Sequence, residues 1–326
     1  MQLLGIYGRK EYYLTEAKDE KLGYLPGKII WRVPDIRESV RAPKGYKLFS
    51  ADYSQIEVKI MAWLSGDPFL KAAINSGKDI HCYMVAEVFN LDYDLVNTAR
   101  KDKKHPQHDE MSTLRSNIKT TTFGIPYGAG VGRVAMMTGM TEEAAEAFIK
   151  QYFKKASVLE QWLERIRKEA VSERSSRTAK GRVRWYDVPP RVDTNYKKIV
   201  SQIGRYAGNM PIQGGCADLL KEALVNFYLS VRDGSWTAEP QWDARILLAV
   251  HDEIVAMAKE EFCGTSENPG PAPLLLLKAM EDAYNNMSTT IREYDALEEK
   301  WVSKESPLNV LKNKIDVVVG DFWSKE

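Results

Sequence analysis

Two short apolar runs in this chain each lead into an aspartate: Leu48 to Ala51 into Asp52, and Ile246 to Val250, through His251, into Asp252. Runs of that length, rich in branched and aromatic residues, read as strands, so each carboxylate stands at the rim of a sheet, held by buried neighbours. Strand Leu48–Tyr53 is followed by a helical pattern that Ser54 opens, with Ile56, Ile60, Met61 and Leu64 on it and Gly66 and Pro68 as the stop. Strand Arg245–Val250 turns at His251, Asp252 and Glu253 into a second strand, Ile254–Ala258. Between these flanks the periodicity is helical at positions 81–90, 112–124, 141–170 and 215–231. A charged helix is expected around 274–300, and Ile315–Val319 closes the chain as a strand. Clusters of Gly, Pro and Ser break the pattern near Gly66–Pro68, Pro189–Pro190 and Gly264–Pro273, the last a surface loop or insertion.

With 326 residues, 44% of them hydrophobic, the chain can build one large domain or two ordinary ones. The opening MQLLGIYGRKEYY lacks a signal peptide's apolar core, and Leu274–Leu277 is far too short to cross a bilayer. The expectation is a protein that is not secreted, has no membrane partner, and works in the cytoplasm. Cys82, Cys216 and Cys263 are widely spaced with no CxxC pair, which argues against disulfides and structural zinc. A net charge of +1 is weak support for a nucleic-acid partner, yet Arg165 to Arg205 holds twelve Lys/Arg against four Asp/Glu, with Trp185, Tyr186 and Tyr196 interleaved. That stretch is either a solvated helix face or a surface that tracks a phosphate backbone.

Paired carboxylates at strand ends suit the binding of divalent metals for phosphoryl transfer. Each is equally a turn aspartate, and a separation of 200 residues does not show that they meet. Arg115, Lys119, Phe123 and Tyr127 recur every four residues and drift by about 40° per step, forming one oblique stripe on a helix. Periodicity alone also allows Phe123 and Tyr127 as core residues and the two cations as surface. Ser54-Gln55-Ile56-Glu57 fits the S-x-x-E capping box, a sufficient structural role for Glu57.

In chain order, DYSQIEVKIMAWLS, RSNIKTTTFGIPYG and AVHDEIV resemble motifs A, B and C of family A DNA polymerases. RYAGNMPIQGGCADLLKEAL is similar to that family's helix between motifs B and C, and DIHCYMVAEVF to its fingers segment before motif B. The resemblance covers most of positions 36–258. It implies an α/β (α+β) fold: an antiparallel palm sheet with Asp52 and Asp252, plus a mostly helical fingers subdomain. The boundaries are 1–66 for the first palm part with motif A, 67–190 for the fingers with motif B, and 191–326 for the second palm part with motif C.

The activity implied is template-directed DNA synthesis on a primer-template with dNTPs. Two Mg²⁺ ions would be held by Asp52, Asp252 and the Tyr53 carbonyl, with Glu253 close by. By similarity Arg115 and Lys119 bind the triphosphate, with Lys119 a proton donor to pyrophosphate, Phe123 packs on base and sugar, and His81 contacts the triphosphate. Glu57 against Tyr127 is a steric barrier to a ribose 2′-hydroxyl. Gln55, Arg205, Asn209 and Gln213 are similar to residues on the primer-template, and His251 to one near the primer terminus. Asn209 beside Pro211 also suits a turn.

The sequence departs from the family in three places. Lys59 stands where the family usually has Arg, which weakens a bidentate contact. Pro126 should kink or end the motif B helix near Tyr127. Only 51 residues precede Asp52, too few for the family's thumb and exonuclease, so a minimal enzyme or a separate polypeptide supplying a thumb is expected. Three other readings are a catalytically silent DNA-binding replication subunit, a single-subunit RNA polymerase and a nuclease. Each has less support, because both aspartates and Lys119 persist, the DYSQIE, Phe123 and HDE residues resemble DNA enzymes, and no further acidic cluster precedes motif A.

Overall fold

The computed structural model describes residues 11–12, 31–32, 36–233, 242–295 and 300–324. Parts of the expected N-terminal palm segment, and residues 296–299 of the expected charged helix, lie outside them. The strands are β1 (Glu11–Tyr12), β2 (Trp31–Arg32), β3 (Tyr46–Tyr53), β4 (Ser175–Arg177), β5 (Val183–Trp185), β6 (Arg245–Val250), β7 (Glu253–Lys259), β8 (Ser288–Asp295), β9 (Lys300–Pro307) and β10 (Ile315–Gly320). The helices are α1 (Ile56–Ser65), α2 (Pro68–Asn75), α3 (Ile80–Phe89), α4 (Tyr93–Lys101), α5 (His108–Gly124), α6 (Val131–Thr138), α7 (Glu142–Lys155), α8 (Ser157–Ser172), α9 (Tyr196–Asp233) and α10 (Pro271–Asn285).

The chain divides into two units. One comprises Met1–Asp52, Phe227–Leu277 and Asp316–Glu326. It is built on an antiparallel sheet in the order β10-β3-β7-β6, so the strand-and-turn readings around both aspartates hold. Alternate β3 residues face two ways: Phe49 packs edge-on against Phe227, while Leu48 joins Val255 and Trp323 in a second cluster.

The other unit, Tyr53–Asn226 with Lys278–Ile315, is mainly helical. Its centre is α1, buried over most of its surface, with the Trp63 indole donating to the Ser306 carbonyl at 2.9 Å. Asp67 is fully buried and accepts from the amides of Leu70 at 3.0 Å and Leu159 at 2.9 Å. One carboxylate thus satisfies orphan donors at the starts of both α2 and α8.

Four expectations need correction. The run 141–170 is two helices, α7 and α8, separated at Ala156, whose ψ of 47° is not helical. The helix expected at 215–231 is the end of α9, which is 38 residues long and passes through Pro211, so Asn209 sits in a helix and not at a turn. The charged helix expected over 274–300 stops at Asn285, and the chain continues as β8, paired with β9 from Ser288↔Pro307 to Asp295↔Lys300. Finally, the capping box at Ser54 does not form: the residue preceding α1 is Gln55, in a left-handed conformation with φ 56°, and no side chain caps the helix.

Candidate active site

In the sheet unit, β3 and β7 pair so that Asp52 is the partner of Glu253, with Ala51↔Ile254 next in register. Directly opposed residues share a face of the sheet, so Asp52 and Glu253 point the same way, with Leu48 and Val255 further along it. Val250 pairs with Glu253, which leaves His251 and Asp252 as a two-residue hairpin loop at the same end of the sheet. His251 has φ 57°, a conformation that costs a non-glycine residue energy and that tight hairpins demand. Asp52 and Asp252 are both half-buried. Glu253 is buried at 3% exposure, its Oε1 accepting from the Trp323 indole at 2.8 Å and its Oε2 paired with Arg37 at 3.2 Å.

In the helical unit the motif B residues lie along α5. Arg115, Lys119 and Phe123 fall on the expected stripe, with Lys119 exposed. The helix ends at Gly124 and Tyr127 sits in the turn beyond it, where Pro126 forbids continuation. Arg167 donates at 3.0 Å to the Ile125 carbonyl, which also accepts from the Gly128 amide at 2.9 Å, and so places a cation at a helix C-terminus. Burial lowers the Arg167 pKa.

The Tyr127 hydroxyl is a junction. It donates to Glu57 Oε1 at 3.0 Å and accepts from Gln213 Nε2 at 2.8 Å, and Gln213 Oε1 accepts from Asn209 Nδ2 at 2.8 Å. Burial, then the Glu57 charge, pushes the Tyr127 phenol well above its usual range, so it stays a donor. The turn holding Tyr127 is pressed against α9: a Cβ on Gly208 would stand 2.6 Å from the Pro126 carbonyl oxygen. Gly128, at φ 78°, has the Arg205 side chain where a Cβ would go. Arg205 itself donates to the Ser201 hydroxyl at 3.1 Å.

Beside the stripe, Asp79 caps α3 by accepting from the Cys82 amide at 2.9 Å and holds Arg115 in a fork, Nε at 3.0 Å and an amino nitrogen at 2.8 Å. Burial alone would raise the Asp79 pKa, but the Arg115 and Cys82 bonds outweigh it and hold the carboxyl well below the usual range. His81, 2% exposed, has its ring 6.0 Å from that of Phe123, and its Nδ1 meets no hydrogen-bond partner. Burial first, then the Arg115 charge, lowers its pKa from 6.5 to about 4, so the ring is neutral at physiological pH.

That shift makes a stability prediction. A group whose folded pKa is depressed binds more protons unfolded, so the contribution of neutral His81 is complete above pH 6.5 and falls away towards pH 4. Going from about pH 7 to about pH 5 should remove about 2 kcal/mol through this residue. The melting temperature of the wild type should fall relative to that of His81→Phe as pH drops over that interval; parallel curves would show that His81 does not titrate in this way.

The profile of DNA polymerase family A matches residues 31–269. The chain belongs to that family. DNA polymerase I, thermostable, of Thermus filiformis is 34% identical over 249 residues, 76% of this chain and 26% of that protein. DNA polymerase I of Pseudomonas aeruginosa is 33% identical over 226 residues, 69% of this chain and 22% of that protein. Among solved structures, the POL domain of Pol1 from M. smegmatis, in complex with DNA primer-template and dNTP, superposes with a TM-score of 0.66 at 26% identity over 89% of this chain and 42% of that one. This family A chain thus spans about a quarter of the length of the curated relatives it matches.

Of the residues expected at a family A site, Asp52, Asp252, Glu253 and His251 gather at one end of the sheet. Glu57, Tyr127, Gln213 and Asn209 join in one hydrogen-bonded row, and His81 lies by Phe123. The Tyr53 side chain turns away, its hydroxyl donating to the Met280 carbonyl at 2.6 Å. Lys59 is buried and donates to Asn313 at 3.1 Å. Sequence reading missed Asp79, Arg167 and Trp323. Only Asp79 left a signal, as an acid just before a helical run.

Among the described residues no group of three or more His, Cys, Asp or Glu could hold a metal. Two aspartates and a carbonyl are hard oxygen donors of the kind Mg²⁺ takes, with water and phosphate completing its shell. In donor type these residues suit Mg²⁺.

Proposed function

We propose that this chain catalyses template-directed transfer of a nucleotide from a dNTP to a primer 3′-hydroxyl. The observation that carries it is the β3–β7 register, which brings motif A and motif C together at one end of a sheet. Family membership and the likeness to a POL domain bound to DNA primer-template and dNTP support the substrate class. Asp52, Asp252 and the Tyr53 carbonyl would hold two Mg²⁺ ions, which supply charge stabilisation for the attacking hydroxyl and the departing pyrophosphate. Arg115 and Lys119 bind the triphosphate, with Lys119 able to give up a proton to pyrophosphate. By family resemblance His81 lies at the triphosphate, and Phe123, whose ring is 6.0 Å from that of His81, packs on base and sugar. Gln55, Arg205, Asn209, Gln213 and His251 touch the primer-template. The palm and fingers divisions at 66/67 and 190/191 are part of the same proposal.

The test is extension of a primed DNA template with Mg²⁺ and each class of nucleotide. Template-directed addition of deoxynucleotides supports the reading. A folded, DNA-binding chain that adds none, both alone and after a thumb-bearing polypeptide is supplied, overturns it.

The bond between Glu57 and Tyr127 supports the sugar barrier, since both side chains are held in place. Glu57→Ala should raise incorporation of ribonucleotides relative to deoxynucleotides by at least about tenfold. Unchanged sugar selectivity in competition assays would remove Glu57 from that role.

A further inference from the structure

Glu253 is the carboxylate directly across the sheet from Asp52 and one residue after Asp252. At a directly opposed position its Cβ stands about 5 Å from that of Asp52, so three acidic side chains crowd one sheet end. A buried carboxylate is costly unless paired, and one left to swing would compete with its neighbours for any cation. The fold handles this one specifically. Arg37 neutralises Oε2, the Trp323 indole bonds Oε1, and the Arg37 guanidinium lies 4.2 Å from the centre of the Trp323 ring.

These partners come from segments far apart in sequence that are themselves tied together. The Trp323 amide donates to the Val40 carbonyl at 3.0 Å and the Ala42 amide to the Asp321 carbonyl at 2.9 Å. The Trp323 ring also packs with Leu48 and Val255, beneath the same face. Asp252 lies in a two-residue loop with a positive-φ neighbour, and Val250 and Glu253 are the residues that anchor that loop. Whatever fixes Glu253 therefore fixes the base from which Asp252 projects.

We infer that Trp323 and Arg37 are positioning residues for the Asp52 and Asp252 carboxylates, acting through Glu253, and that Glu253 is held as an anchor and not as a metal ligand. The inference rests on the reading of Asp52 and Asp252 as metal ligands. Groups that orient metal ligands typically change metal affinity by about 10- to 100-fold when removed.

The test is binding of Mn²⁺ to the purified chain, followed by electron paramagnetic resonance of the free ion, beside thermal melting. Trp323→Phe keeps an aromatic ring but loses the indole donor, and it should weaken Mn²⁺ binding about tenfold. Glu253→Gln keeps the shape but loses the ion pair to Arg37, and it should weaken binding to a similar extent. In extension assays both should raise the Mg²⁺ needed for half-maximal rate while leaving the dNTP KM at saturating Mg²⁺ unchanged. Asp252→Asn separates the two claims: if it binds Mn²⁺ like the wild type, the metal reading itself is wrong. If Asp252→Asn loses binding while Trp323→Phe retains wild-type affinity, whether or not its melting point falls, the positioning role is overturned. It is overturned equally if Glu253→Gln loses binding as completely as Asp252→Asn does, since Glu253 would then be a ligand.

Discussion

Asp252→Asn should lower template-directed primer extension about a thousandfold while leaving the fold intact. The substitution keeps the size and planarity of the side chain and removes one charge from a half-buried loop position, so the β6–β7 hairpin has no reason to open. What is lost, on the proposed reading of Asp252 as a metal ligand, is an anionic oxygen donor to a divalent ion. Such an ion contributes several kcal/mol to the transition state of phosphoryl transfer. Losing about 4 kcal/mol of that corresponds to about three powers of ten in rate. Single-turnover extension beside a melting curve reads both halves of the expectation. A variant that extends primers within about tenfold of the wild type would show that Asp252 is only a turn residue, the bland alternative that sequence alone left open.

Gly208→Ala should lower extension about a hundredfold with little change in stability. Helix propensity alone favours alanine over glycine in α9 by about 1 kcal/mol. Against that, the new methyl would stand 2.6 Å from the Pro126 carbonyl oxygen, a backbone atom that cannot swing aside. Overpacking of this kind costs about 1–3 kcal/mol, so the two effects nearly cancel in stability. They do not cancel at the site. Relief of the clash moves the turn that carries Tyr127, whose hydroxyl links Glu57 to Gln213. A displacement of about 1 Å in a positioning group costs about a hundredfold in rate. Full activity in Gly208→Ala, with kcat and dNTP KM both unchanged, would show that this turn yields freely.

Particular residues show where sequence reading reached and where it stopped. The strand ends at Asp52 and Asp252 were legible because apolar runs and a short polar turn are local signals. Pairing them across 200 residues was not a local matter; it needed the family resemblance first and the β3–β7 register afterwards. The stripe on α5 was legible up to Phe123, and Pro126 correctly marked the helix end before Tyr127.

Ser54 misled, since a fitting S-x-x-E pattern gave way to a left-handed Gln55, and Glu57 bonded to Tyr127 across the unit instead of to its own helix start. Pro211 misled in the other direction, because tertiary packing holds α9 continuous through a residue that breaks isolated helices. The β8–β9 hairpin was lost in a charged, helix-like stretch, although Thr289, Thr290 and Ile291 form a β-branched run that favours a strand. Asp79, 36 residues from Arg115, and Trp323, 70 from Glu253, follow no sequence spacing.

The fork between Asp79 and Arg115 has a consequence for how an anion is received. The charge of an exposed arginine is screened by dissolved ions, so an attraction that rests on that charge alone weakens as salt is added. Arg115 already has its anion, built into the cap of α3 and held at 2.8 Å. A triphosphate meeting it finds a side chain whose rotamer is already chosen and whose counterion belongs to the protein. On the proposal that Arg115 binds the triphosphate, the part of the affinity that Arg115 itself contributes depends on geometry more than on ionic strength, and the salt dependence of dNTP binding falls to exposed cations such as Lys119.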